Sequence, residues 1–225
     1  MRPLLILRPE PGNAASVAAA RELGLSVLGA PLFAVESVPW DVPEADAFDG
    51  ILAGSANLFR LGGPGLGRLA ALPVLAVGAE TAHAAQAAGF AVAQVGQGGL
   101  AEVARNLAPG RYLRLSGADP VALDLPAGVV VETITVYAAQ PLPLAEKAVR
   151  LLQQPCVAAL HSGEAARHFA AECTRLNLAR GHVALACLAP RIGTMAGVGW
   201  QSVEISAMRR DQPLLALAGQ MCQNL

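Results

Sequence analysis

Short apolar runs alternate with alanine-rich amphipathic stretches along the whole chain. The apolar runs lie at residues 3–8, 25–28, 49–54, 73–78, 90–95, 111–117, 129–137, 156–162, 182–189 and 201–206. They lack the strict alternation of a half-buried antiparallel strand, and helical stretches follow them. Apolar strands separated by helices are typical of parallel sheets that helices cover on both faces. The sequence therefore predicts the α/β class.

Two segments of the chain repeat one structural unit. DGILAGSANLF (49–59) and CVAALHSGEAARHF (156–169) each contain a strand, a short turn with a serine and the start of a helix. Ser55 and Ser162 occupy the same place in the two units. About ten strands are too many for one ordinary open sheet at this length. The repeat therefore indicates two similar domains, each with a parallel sheet flanked by helices.

Two extended segments, PLFAVESVP (31–39) and VETITVYAAQPLP (131–143), bracket the middle of the chain. Such a pair predicts a two-stranded linker between a middle domain and an outer domain into which it is inserted. The predicted parts are an outer domain of residues 1–32 plus 139–225, an inserted domain of residues 38–131, and linker strands at 33–37 and 132–138.

Charge and composition narrow the range of partners. The 225 residues carry a formal net charge of −1, and aromatic residues make up only 4%. The chain offers no extended positive field and few stacking surfaces, so we expect no nucleic-acid partner. No run approaches the ~20 apolar residues of a membrane span, and the apolar stretch near the N-terminus is shorter than the ~7–15 residues of a signal peptide. We therefore expect a cytoplasmic protein with no membrane partner.

Residues that carry common enzyme chemistry are sparse. Lys147 is the only lysine, and no GxxxxGK[ST] motif is present, which disfavours a Schiff base or a P-loop. The glycine cluster at 62–67 follows no strand and lacks the GxGxxG spacing of dinucleotide sites. Cys156 and Cys187 lie in apolar runs and are predicted to be buried thiols. The spacing of the four cysteines fits no metal site, so we expect neither a metal nor another cofactor.

A series of short segments resembles the uroporphyrinogen-III synthase family. They are LRPE at 7–10, APL at 30–32, SAN at 55–57, VGAETAHAAQAAG at 77–89, GGL at 98–100, TVY at 135–137, LHSGEAARHF at 160–169 and APRIGTMAGVGW at 189–200. Their order and spacing extend over nearly the whole chain and agree with the discontinuous two-domain layout. The resemblance implies a cofactor-free lyase. It cyclises hydroxymethylbilane, a linear tetrapyrrole, with loss of water and inversion of ring D to give uroporphyrinogen III.

The implied substrate is a flexible molecule with eight carboxylates, whereas the chain has almost no net charge. Helix N-termini at the carboxyl ends of parallel strands offer a local alternative, because they present free N–H groups and partial positive charge to anions. Ser55, Thr81 and Ser162 are expected at such strand-to-helix turns. The resemblance also leaves open a transient contact with the preceding pathway enzyme.

The resemblance implies a set of site residues. Tyr137, on the second linker strand, is the candidate acid for the departing hydroxyl. The candidate substrate ligands are Arg8, Ser55, Asn57, Thr81, Ser162 and Arg191. Each of them also has a structural explanation, since Ser, Thr and Asn cap helices, arginines form ion pairs and Tyr137 can simply pack.

Two other functions stay open at this point. One is a non-catalytic two-domain module that binds anions or tetrapyrroles without controlling the product isomer. The other is a two-domain α/β enzyme acting on a phosphorylated sugar, although the phosphate-binding motifs are missing. The isomer formed from hydroxymethylbilane distinguishes both from a uroporphyrinogen-III synthase.

Overall fold

The structure is a computed structural model that describes residues 1–224. Its strands are β1 (Leu4–Ile6), β2 (Val27–Gly29), β3 (Phe33–Ser37), β4 (Gly50–Ala53), β5 (Val74–Val77), β6 (Val92–Gly96), β7 (Gly110–Gly117), β8 (Val129–Pro141), β9 (Cys156–Leu160), β10 (Val183–Cys187) and β11 (Ser202–Ile205). Its α-helices are α1 (Gly12–Glu22), α2 (Asn57–Leu61), α3 (Gly78–Ala87), α4 (Leu100–Arg105), α5 (Glu146–Leu151), α6 (Gly163–Arg175), α7 (Pro190–Ala196) and α8 (Asp211–Asn224).

The strands form two sheets. One has the order β11-β10-β9-β1-β2, and each of these neighbouring pairs is parallel. The other has the order β3-β8-β7-β4-β5-β6, in which the pairs from β8 to β6 are parallel. The predicted α/β class with parallel sheets flanked by helices is confirmed. β3 occupies residues 33–37, the extended segment that the sequence analysis assigns to the first linker strand.

The chain divides into two compact units. The first contains residues 1–34 and 140–225, and the second contains residues 35–139. The five-stranded sheet lies in the first unit, and β4 to β7 lie in the second. The chain passes between the units through β3 and β8.

In the first unit, the three central strands β9, β1 and β10 are buried on both faces. Leu5 of β1 belongs to an apolar cluster that includes Phe169 of α6 and Ile192 of α7. Its neighbours Leu4 and Ile6 belong to a second cluster, formed with α1 and α8. Because successive side chains of a strand point to opposite faces, an uninterrupted apolar strand requires a helix layer on each side.

The second unit is built by the same rule. Ile51 and Ala53 of β4 pack in one apolar cluster with residues of α2 and α3. Leu52, between them, packs on the opposite face with Val103 and Ala104 of α4. Ile51, Leu52 and Ala53 are fully buried.

The cysteines are buried free thiols at positions 156, 173, 187 and 222. Burial raises the pKa of Cys156 and of Cys187 to about 12. The prediction of buried thiols at these two positions is thereby confirmed. Within residues 1–224, none of the helices combines the length and the apolar character that a membrane span requires.

A buried carboxylate connects α6 to the segment before α5. Glu172 is only 6% exposed. It accepts hydrogen bonds from Arg175 Nε at 2.6 Å, from Arg175 Nη2 at 2.8 Å and from the Leu144 backbone N–H at 2.8 Å. The Arg175 hydrogen bonds, aided by the Leu144 N–H, hold the pKa of Glu172 at about 2, although burial acts in the opposite direction.

The Glu172 contacts predict a pH-dependent contribution to stability. The folded-state pKa of about 2 lies below the ordinary value of 4.5, so the contribution is complete above pH 4.5 and is lost as the pH falls towards 2. We expect Glu172→Gln to lower the free energy of unfolding at pH 7 by about 2 kcal/mol, the scale of a hydrogen bond to a charged group. Urea unfolding should show a smaller difference from the unaltered protein at pH 3 than at pH 7.

Glu164 provides the control on the same helix. It forms an exposed ion pair with Arg167, and its side chain is 66% exposed. Glu164→Gln should change the free energy of unfolding by no more than about 0.5 kcal/mol at either pH. A Glu172→Gln penalty that is equal at pH 7 and pH 3 would contradict the electrostatic explanation.

Candidate active site

A cavity of about 380 Å³ lies in the second unit, at the carboxyl ends of β4 and β7. Ligands of open α/β sheets bind at this edge, because the loops that follow the strands meet there. The lining includes Gly54, Ser55, Arg114, Ser116, Asp119 and Tyr137. The structure thus brings two sequence-predicted site residues, Ser55 and Tyr137, to one cavity.

The position of Tyr137 depends on an irregularity in β8. The pairing with β7 matches Ser116 with Thr135 but Gly117 with Tyr137, so Val136 is an extra residue in the register. Such bulges redirect the side chains beside them and are common next to functional sites. The Tyr137 ring lies so close to Gly117 that a Cβ at that glycine would be 2.7 Å from Cε2 of the ring. Glycine at 117 therefore leaves room for the tyrosine.

Ser55 lies two residues after the end of β4 and is half-buried. Its Oγ accepts a hydrogen bond from the Asn57 backbone N–H at 3.2 Å, which stabilises the start of α2. Asn57 is the first residue of α2 and does not line the cavity. A hydroxyl with two acceptor lone pairs and one donor can hold this local bond and still donate to a ligand.

Arg114 is a residue of this cavity that the sequence reasoning missed. It lies within β7 and is only 7% exposed. Its Nη1 donates to the Val121 carbonyl at 2.6 Å, whereas Nε is buried and has no hydrogen-bond partner among residues 1–224. Burial lowers the pKa of Arg114, while the nearby Tyr137 acts in the opposite direction. The sequence does contain an indication of this residue, because Arg114 is a charged residue within an apolar run that predicts a buried strand.

Thr81 does not lie at a strand-to-helix turn, as the sequence analysis expected. β5 ends at Val77 and α3 begins at Gly78, so Thr81 is one turn inside the helix. It is 5% exposed and is not among the residues that line the cavity. The chain reverses through Gly78, whose φ of +78° suits glycine.

Arg8 lies in the first unit, where β1 and β9 end. Its Nη1 is 3.4 Å from Asp211 Oδ1, and the same oxygen is 2.7 Å from His161 Nε2. Ser16 Oγ donates to Asp211 Oδ2 at 2.7 Å. Burial by itself would raise the pKa of Asp211, but the hydrogen bonds with His161 and Ser16 and the charge of Arg8 lower it overall.

Ser162 and Arg191 also belong to the first unit. Ser162 is the N-cap of α6, and its Oγ accepts a hydrogen bond from the Ala165 N–H at 3.1 Å. Arg191 is the second residue of α7 and is exposed. Neither residue lines the cavity of the second unit. In residues 1–224, no group of three or more His, Cys, Asp or Glu side chains is arranged to hold a metal ion.

Solved structures share this fold. The uroporphyrinogen-III synthetase of Helicobacter pylori aligns with a TM-score of 0.68 at 16% identity, covering 98% of this chain and all of that one. A substituted uroporphyrinogen III synthase of Thermus thermophilus aligns with a TM-score of 0.51 at 21% identity, with full coverage of both chains. At these identities the likeness establishes the fold alone. No curated protein matches the chain.

Family membership rests on the sequence itself. The model of the family described as uroporphyrinogen-III synthase HemD matches residues 14–215, which is most of the 225-residue chain. The match includes Ser55, Arg114, Tyr137 and Ser162, and the fold agrees with it. The chain belongs to the uroporphyrinogen-III synthase family and is an enzyme of tetrapyrrole biosynthesis.

Proposed function

We propose that the chain closes hydroxymethylbilane to uroporphyrinogen III and that Tyr137 is its acid. The observation that supports this assignment is the cavity of the second unit, where the Tyr137 phenol and the Ser55 hydroxyl share the ligand-binding edge of a parallel sheet. A phenol is neutral at physiological pH and carries a proton that it can donate. It therefore suits a step in which a hydroxyl group departs as water.

The proposed chemistry requires one proton donor, placed next to the hydroxyl group that departs. Tyr137 donates a proton to the departing hydroxyl, which leaves as water, and the terminal pyrrole becomes a protonated azafulvene. The opposite end of the chain attacks it through the substituted carbon of ring D, forming a spiro intermediate. That intermediate fragments and closes again with ring D reversed. The carbon that forms the final bond loses its proton, and this proton restores the phenol.

Most of the rate and all of the isomer control come from positioning. The pyrrole rings drive the loss of hydroxide, so the protein mainly has to hold the chain in the conformer that inverts ring D. We propose Ser55, Asn57, Thr81, Arg8, Ser162 and Arg191 as ligands of the substrate carboxylates. Ser55 has the strongest support, since it lines the same cavity as Tyr137.

We also propose that the reaction takes place in the cytoplasm, where the buried free cysteines of the chain would stay reduced. Hydroxymethylbilane that escapes closes without the inversion, to isomer I. A transient contact with the enzyme that makes it would limit this loss.

The test of the function is the product isomer. We incubate the protein with enzymatically generated hydroxymethylbilane, oxidise the products and separate isomers I and III. We expect isomer III to predominate, and we expect the same after exhaustive dialysis against EDTA, because the proposed chemistry needs no metal. Isomer I alone would support a non-catalytic tetrapyrrole-binding module. Activity that EDTA abolishes and one metal restores would overturn the cofactor-free mechanism.

Tyr137→Phe tests the acid. The variant loses one oxygen and keeps the ring that packs beside Gly117. We expect kcat to fall by about 10²-fold, the low end of general-acid contributions, because the azafulvene forms readily without help. KM should change less than kcat, and the product should stay isomer III. Steady-state kinetics and isomer analysis measure these three quantities.

The only other tyrosine is the control. Tyr112 lies on β7 in the second unit, is 7% exposed and donates its hydroxyl to the Ala108 carbonyl at 3.2 Å. It does not line the cavity, so Tyr112→Phe should leave kcat within about twofold of the unaltered enzyme. Equal kcat values for the two Phe variants would remove the acid role of Tyr137. A shift of Tyr137→Phe towards isomer I would instead assign the phenol to holding ring D.

Two substitutions at Ser162 distinguish substrate binding from helix capping. Ser162→Ala should lower stability by about 1 kcal/mol, the typical value of an N-cap, whereas Ser162→Asp should keep the cap. A carboxylate at this position repels the carboxylates of the substrate. If Ser162 binds the substrate, KM should rise by about 3–10-fold for the alanine variant, as expected for a lost hydrogen bond, and further for the aspartate variant. Unchanged KM in both variants would leave Ser162 as a helix cap only.

A further inference from the structure

Arg114 lacks a complete set of partners in the second unit. Of its guanidinium nitrogens, Nη1 alone makes a hydrogen bond within residues 1–224, to the Val121 carbonyl. Nε is buried without a partner, and no carboxylate of the described chain lies within salt-bridge distance of Arg114. A charge removed from water without a counter-ion is unfavourable, so most buried arginines are paired.

A purely structural role explains only part of this arrangement. The Nη1 bond fixes the Val121 carbonyl, but Val121 is 74% exposed, and water can satisfy that oxygen. The other guanidinium nitrogens make no hydrogen bond within residues 1–224. Arg114 lines a cavity of about 380 Å³, within the size range of small-molecule sites, ~300–1000 Å³.

The position of Arg114 is favourable for binding a carboxylate. Guanidinium groups bind carboxylates through two parallel hydrogen bonds, and these are among the strongest polar contacts. Asp119 lines the same cavity without pairing to Arg114, so the cation is available to a ligand. Tyr137 lines the same cavity as Arg114.

We propose that Arg114 binds one carboxylate side chain of the linear tetrapyrrole and thereby holds the attached pyrrole ring beside Tyr137. This inference rests on the proposed function, because it takes the substrate to be hydroxymethylbilane. It identifies a specificity-determining residue inside an apolar strand rather than at a helix N-terminus. The substrate carboxylate supplies the counter-ion that the folded chain lacks.

Arg114→Met is the main test, because methionine keeps much of the side-chain length and removes the charge. We expect KM for hydroxymethylbilane to rise by about 10–100-fold, the range of a hydrogen bond to a charged group, with a smaller effect on kcat. Arg114→Lys should recover part of the loss, since it keeps the charge but cannot bind with two parallel hydrogen bonds. It also serves as the second variant if the methionine protein folds poorly.

Arg111→Met is the matched control on the same strand. Arg111 is exposed and pairs with Glu132 at 3.2 Å, and it does not line the cavity. Its KM should stay within about threefold of the unaltered enzyme, because exposed charges contribute little. Equal increases for the two methionine variants would indicate a general charge effect and would overturn the proposal.

Binding of uroporphyrin III, the stable oxidised product, separates this inference from the proposed activity. Fluorescence titration should give a Kd at least 10-fold weaker for Arg114→Met than for the unaltered protein, even if the protein forms no isomer III. Melting without ligand gives the second readout. The Tm of Arg114→Met should be equal to or higher than that of the unaltered protein, since the variant removes an unpaired buried charge. Unchanged KM and Kd with a Tm lowered by several degrees would make Arg114 structural and overturn the proposal.

Discussion

The burial of parallel strands on both faces is the constraint on which the rest of the structure depends. Leu4, Leu5 and Ile6 of β1 point alternately to two apolar clusters, so helices must cover both sides of the sheet. Each chain reversal then places a loop and a helix start at the carboxyl ends of the strands. Polar residues excluded from the strands collect there, which is why Ser55 follows β4 and Ser162 follows β9.

Much of the fold follows from the sequence because the pattern that predicts it is local. β9 and β10 lie within the apolar runs at 156–162 and 182–189, and the helices after them occupy the predicted amphipathic stretches. β2 differs, since it occupies Val27–Gly29 rather than 25–28. Leu25 is buried against α8 instead of extending the strand. β3 occupies the extended segment at 33–37, and its neighbour in the sheet is β8.

The site was less predictable because its geometry comes from pairing between distant segments. The family resemblance led to Tyr137 and Ser55, and the structure places both on one cavity. The side chain of Tyr137 is directed by the extra residue at Val136, which exists only in the register of β8 against β7. Arg114 is buried within β7 and donates to the Val121 carbonyl, seven residues further along the chain. The composition shows that the chain contains arginines, but it does not show which of them are buried.

A chain with a formal net charge of −1 can bind a polyanion if its few effective cations are sheltered from water. An exposed arginine such as Arg111, with its side chain 55% exposed and paired to Glu132, has a field that water and salt screen. A guanidinium group in the wall of a cavity, where the dielectric constant is low, interacts several times more strongly with an anion than a guanidinium group exposed to water. Burial of such a cation destabilises the unliganded protein, and a ligand that places a negative charge beside the cation offsets this destabilisation. Local placement, rather than overall charge, can therefore select one carboxylate among many and determine which pyrrole ring faces Tyr137, the proposed acid.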